Sequence, residues 1–127
     1  MPFMPLAIRD KIVANSQPFL EPGEVVQHAF PAQTFNGNWA FLSALIVLFK
    51  NSYRCVVVTD RRIAVLDSGK WAQGTPKTLL RSLPRQTQIG PAKGLWYKTE
   101  NLGERLYIHK RFHKDIAAAD TAAGFPG

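Results

Sequence analysis

Two adjacent arginines, Arg61 and Arg62, stand in a polar interruption, Thr59-Asp60-Arg61-Arg62, between two runs dense in valine and isoleucine. The Thr59 hydroxyl and the Asp60 carboxylate are short acceptors that can take backbone N–H groups and close a tight turn. The guanidinium groups have two uses: they pair with acids of the same chain, or they hold an anionic ligand. The other contact candidates are cationic or aromatic: Trp71, Arg81, Arg85, Lys93, Lys98 and Arg111. Trp96 and Tyr97 lie between Lys93 and Lys98, and rings among cations can stack on nucleic-acid bases; in a small barrel such rings more commonly pack. Trp71, in a polar loop between basic positions, is expected to be exposed.

Catalytic chemistry finds little to work with. His109 and His113 lie four apart with Asp115 close by, but Lys110, Arg111 and Lys114 among them would repel a cation, so no metal site is expected. Cys55 is inside an apolar run with no base nearby in sequence, which predicts a buried and inert thiol. As the single cysteine it excludes an intramolecular disulfide and fits a reducing, cytoplasmic setting. Ser52, Ser68 and Ser82 have no nucleophile context, and Gly90-Pro91-Ala92-Lys93-Gly94 is not a phosphate-binding loop. No catalytic residue, cofactor or enzymatic reaction is expected.

Size and charge narrow the partners. A chain of 127 residues, 46% of them hydrophobic, suits one domain with one core. The net charge is +7, and residues 50–114 hold 14 Lys/Arg against 4 Asp/Glu. Such an excess serves as a dispersed solubilising surface, as a face for an acidic protein partner, or as an attractor of anionic membrane or nucleic acid. The apolar residues near the start are broken by prolines and followed by charges, unlike a secretory signal. The run at residues 39–49, WAFLSALIVLF, is too short to cross a bilayer as a helix, so it is read as a buried strand and no transmembrane segment is predicted.

The elements that must position these groups follow from periodicity. Residues 6–17 carry an incomplete apolar stripe of Leu6, Ile8, Ile12 and Val13, suited to a short helix. Residues 25–30 read as a strand ended by Pro31. Asn36-Gly37-Asn38 signals a turn before the apolar run, and residues 53–59 and 63–66 form the paired strands around the arginines. Residues 78–83 make a short strand stopped by Pro84, and residues 87–89 a weaker one. Residues 94–99 and 105–109 flank a glycine-containing hairpin loop. In the latter, Leu106 and Ile108 face one way, and Arg105, Tyr107 and His109 the other. Phe112, Ile116, Ala119 and Ala123 then recur at helical spacing, predicting a helix over 113–122 with Phe112 and Ile116 as core anchors. Gly124 and Pro126 supply its stop.

The stretch VVVTDRRIAVL at residues 56–66 resembles the strand-turn-strand signature of bacterial pleckstrin-homology-like domains, and the order of short strands followed by one C-terminal helix is similar to that fold. Small actinobacterial proteins with a YRVVVVTDRR-like pair and a GERLYIHKRFHKD-like end are similar as well. The resemblance implies a mainly β, partly open barrel of about seven antiparallel strands, built from two nearly orthogonal sheets and closed at one end by the helix. The corresponding division is an N-terminal extension at 1–21, a domain at 22–123 and a tail at 124–127. No residue match carries a lipid specificity over. The expected function is a non-enzymatic interaction module that binds a protein partner or self-associates through sheet edges and loops. A binder of anionic lipid or nucleic acid is the alternative, with an enzyme of unknown reaction behind it.

Overall fold

The computed structural model describes residues 4–35, 51–70 and 73–125, with side chains from Ile8 onward. In chain order they form helix α1 (Met4–Ser16), a 3-10 turn at Gln17–Phe19, and strands β1 (Val26–Gln33), β2 (Tyr53–Thr59), β3 (Arg62–Gly69) and β4 (Thr78–Pro84). Strands β5 (Trp96–Thr99) and β6 (Leu106–His109), a second 3-10 turn at Lys110–Phe112 and helix α2 (His113–Ala122) complete them. The strands make one antiparallel six-stranded sheet in the order β4-β3-β2-β1-β6-β5. It is open, with β4 and β5 at its edges. The turn at 36–38, the apolar run at 39–49, Trp71 and Pro126 lie outside the described residues, as does the Leu6 side chain.

The valine-rich centre is apolar without interruption because both of its faces are covered. Alternation along a strand sends neighbours to opposite faces. Val56, Val58, Ile63 and Val65 turn to one side with Phe30, where they pack with Phe112, Ile116 and Ala119 from the C-terminal end of the chain. Cys55, Val57, Ala64 and Leu66 turn to the other, where Ile12 of α1 is buried among them. A strand buried on both sides needs a continuous apolar run rather than an alternating one. Ile8, Val13, Phe19 and Leu20 extend the α1 side, so the N-terminal segment supplies part of the second core. Truncating Ile12 to alanine there should cost about 2–4 kcal/mol.

The C-terminal helix occupies the predicted residues, with Phe112 and Ile116 buried, and Gly124 leaves it at φ +98°, a left-handed conformation that glycine adopts without strain. Elsewhere the structure corrects the sequence reading. Pro31 does not end β1, which continues to Gln33. The Thr34 N–H donates to the Ser52 carbonyl at 2.9 Å, so by alternation the missing donor of Pro31 falls on the opposite edge. There β6 pairs with β1 only at Gln33–Tyr107, and no ladder bond is lost. Residues 87–89 are not a strand among the described residues, because side chains take their backbone groups. The Ile89 N–H donates to Asp120 Oδ1 at 2.8 Å, and its carbonyl accepts from Thr99 Oγ1 at 3.0 Å and Tyr97 Oη at 3.1 Å.

The sheet is strongly curled. Arg81 of β4, at one end of the strand order, reaches the connection between β5 and β6 at the other: its Nη1 donates to Glu104 Oε2 at 2.7 Å and to the Leu102 carbonyl at 3.3 Å. Arg54 of β2 joins the same carboxylate through Nε at 3.1 Å and holds Asp67 Oδ1 through Nη1 at 2.8 Å. Burial pushes the Glu104 carboxyl upward, but the hydrogen bonds from Arg81 and Arg54 outweigh it and hold the group below its usual range.

Candidate functional site

The Thr59-Asp60-Arg61-Arg62 turn is built from its own side chains. Thr59 Oγ1 accepts from the Arg61 and Arg62 N–H groups, each at 3.1 Å, and the hydroxyl donates to Glu24 Oε2 at 2.6 Å. Asp60 Oδ1 accepts from the Val25 N–H at 3.0 Å, while its own N–H donates to the Val25 carbonyl at 3.0 Å. Arg62 is wholly engaged: Nε and Nη2 grip the Glu24 carboxylate at 2.9 and 3.0 Å, Nη1 meets Ser82 Oγ at 2.8 Å, and Nη2 also meets the Phe19 carbonyl at 3.0 Å. The hydrogen bond from Arg62 holds the Glu24 carboxyl at about 2, against the opposing effect of burial. Arg61 is exposed and makes only a loose pair with Glu21 at 3.4 Å.

Two further arginines have internal acceptors. Arg81 is held by Glu104, as described above. Arg85 is buried, with Nε donating to Gln27 Oε1 at 3.1 Å and both terminal nitrogens to the Ala119 carbonyl at 3.3 Å. That places a cation near the C-terminal end of α2, where the helix dipole favours positive charge, on a carbonyl that also accepts from the Ala123 N–H at 3.1 Å. The turn and these two arginines therefore hold elements together.

The remaining described candidates lie later in the chain. Lys93 and Lys98 are exposed before and within β5, and Lys110, Arg111 and Lys114 follow β6. Among the described residues none of these five has a carboxylate within ion-pair distance. Of these, Lys98 lies on the edge strand β5 itself and Lys110 adjoins its start. The Lys110 N–H donates to the Leu95 carbonyl at 2.8 Å, which makes Leu95–Lys110 a hydrogen-bonded pair. Alternation from that pair points the backbone groups of Tyr97 and Thr99 toward β6, and those of Trp96 and Lys98 outward. No backbone partner of Trp96 or Lys98 is present among the described residues. Leu95, at the entry of the strand, is 53% exposed.

Side chains follow the same alternation. Tyr97 and Thr99 turn inward, while Trp96 and Lys98 lie opposite His109 and Tyr107 on the outer face. Trp96 meets the His109 ring edge-on, with centroids 5.0 Å apart at 84°. Burial, then the nearby Arg111 and His113, lower the His109 pKa from its ordinary value. His109 Nδ1 accepts from the Arg111 N–H at 3.1 Å, His113 Nε2 lies 3.1 Å from the Ile108 carbonyl, and Asp115 pairs with His28 at 3.4 Å. The three groups that are close in sequence are thus directed to three separate partners.

The other edge differs. Val65 pairs with Arg81 and Leu66 with Leu79, leaving Leu80 as the extra residue of a bulge, 41% exposed, and Pro84 ends the strand. Bulges and prolines blunt an edge against added strands. Sequence reading marked Lys93 and Lys98 but missed the outward-facing backbone of β5; its signal was the period-two spacing of Trp96 and Lys98. Glu24 was missed as the partner of Arg62 because nothing local links them. No protein-family model, curated protein or solved structure matches the chain.

Proposed function

We propose that the chain is a non-enzymatic interaction module of the pleckstrin-homology-like type, which takes up a protein segment along the open edge of β5. The observation that carries the reading is the pair of outward-facing backbone positions at Trp96 and Lys98, without a backbone partner among the described residues, on a strand whose register with β6 is regular. Main-chain groups on a sheet edge supply affinity for an added strand, and neighbouring side chains supply selectivity. The strand order, the curl that brings Arg81 to Glu104, and a C-terminal helix against one face support the fold assignment. The free thiol of Cys55 fits a cytoplasmic setting.

Lys98→Pro tests the reading. It removes an outward N–H that β6 does not use, so the β5–β6 ladder keeps its bonds, and circular dichroism checks the fold. Mass is measured by light scattering across a concentration series, and proteins captured from a lysate of the source cells are identified for wild type, Lys98→Ala and Lys98→Pro. An oligomer or an identified partner kept by wild type and Lys98→Ala but lost in Lys98→Pro is the expected result. Equal mass and equal capture in all three overturns the edge.

A second reading has its own observation, the five cations at residues 93–114 that have no carboxylate partner among the described residues. It makes the basic flank a binder of anionic lipid or nucleic acid. Salt-sensitive binding to phosphatidylserine vesicles or oligothymidine, lost in Lys110→Ala/Arg111→Ala and retained in Lys98→Pro, selects it over the edge.

A further inference from the structure

We infer that the segment taken up on β5 is an acidic, extended stretch of another protein, running antiparallel, with a carboxylate opposite Lys98 and an apolar side chain two residues later opposite Trp96. The inference rests on the edge reading above and adds the chemistry of the occupant.

Three observations lead there. First, direction and spacing follow from geometry. Antiparallel pairing is slightly the more stable, and an added strand places alternate side chains beside Trp96 and Lys98 on the outer face. Running against β5, it meets Lys98 first and Trp96 two residues on, so its signature is Asp/Glu-x-apolar. Second, charge selects the occupant. Lys98 lies on the edge itself, Lys93 precedes it, and Lys110 is tied to Leu95 at the strand entry. Across a strand pair an opposite charge stabilises and a like charge opposes. A second copy carrying +7 meets repulsion where an acidic segment meets attraction. Third, the apolar half of the signature has its complement in the partly buried Trp96 ring on the outer face, held edge-on by His109.

The probes are fluorescent decapeptides of threonine and valine with a central Glu-Thr-Val, Gln-Thr-Val or Val-Thr-Glu, read by anisotropy with the full chain. Oligothymidine and phosphatidylserine vesicles run beside them. The Glu-Thr-Val peptide is expected to bind roughly threefold to fivefold tighter than the other two, in line with one cross-strand charge pair. Lys98→Glu should reverse the preference toward a Lys-Thr-Val peptide, and Lys98→Pro should abolish peptide binding. If the three peptides bind alike and Lys98→Pro still abolishes them, the acidic signature is overturned and the edge stands. If no peptide binds while a lysate partner is still lost in Lys98→Pro, the signature alone is again overturned. Peptide binding that survives Lys98→Pro, or binding confined to oligothymidine or vesicles, overturns edge and signature together.

Discussion

Arg62 and Glu24 form a two-pronged ion pair, with Nε to Oε2 at 2.9 Å and Nη2 to Oε1 at 3.0 Å, that locks the turn after β2 to the segment leading into β1. The Glu24 side chain has no exposed surface and that of Arg62 only 18%. Breaking an enclosed pair leaves the survivor uncompensated. Arg62→Ala should therefore lower unfolding stability by about 2–4 kcal/mol in urea titrations. Arg62→Lys, which keeps the charge but not the fork, should recover only part of it. An alanine variant as stable as wild type would falsify the locking role.

The same pair sets an acid limit. The Glu24 carboxyl moves from 4.5 to about 2 on folding, so the unfolded chain binds this proton more readily. Its stabilisation is complete above pH 4.5 and is lost as the pH falls toward 2. At about 1.4 kcal/mol per tenfold change in proton affinity, the effect is on the order of 3 kcal/mol. Urea midpoints measured between neutral pH and the acid range should fall more steeply for wild type than for Glu24→Gln, which has no proton to gain there.

Asp120 holds the segment before β5 to α2. Its two oxygens accept from the Ile89 and Gly90 N–H groups, both at 2.8 Å and all buried. Asp120→Ala leaves two enclosed donors unsatisfied, with an expected cost of roughly 2–5 kcal/mol. Gly90→Ala attacks the same junction by crowding, since an added Cβ would meet the Ala92 backbone nitrogen at 2.8 Å and Ile116 Cγ2 at 2.9 Å. It should cost about 1–3 kcal/mol. Thermal denaturation of both variants, each below wild type, is the check; wild-type stability in either removes its share of the account.

Cys55 should be silent in the folded state. Its side chain is enclosed on the α1 face beside Ser68, at 3.1 Å from the hydroxyl, and burial raises the thiol to about 11. An aromatic disulfide reagent at neutral pH is expected to label it only at the rate of unfolding, accelerating in denaturant. Rapid labelling of native protein would mean that α1 leaves the sheet readily.

Much of the architecture was legible locally. The β2–β3 pair, the β5–β6 hairpin and α2 each declare themselves within a few residues, through β-branched runs, a glycine-containing loop and helical spacing, because the interactions that form them join near neighbours. Thr59 as the turn acceptor was readable for the same reason: its hydroxyl acts on N–H groups two and three residues away. The burial of Cys55 was likewise implied by its apolar neighbours.

What tertiary structure decided is which charges are consumed and which are left. Arg61, Arg62, Arg81, Arg85, Lys93, Lys98 and Arg111 look alike as letters. Arg62 finds Glu24 across 38 residues and Arg85 finds the Ala119 carbonyl across 34, whereas Lys93, Lys98 and Arg111 find no acid among the described residues. Sequence alone determined that the chain is basic and β-rich, since composition and periodicity are local properties. Folding decided that Arg62, Arg81 and Arg85 serve as internal fasteners and that β5 stands at an edge of the described sheet, since pairing across the sheet depends on long-range register.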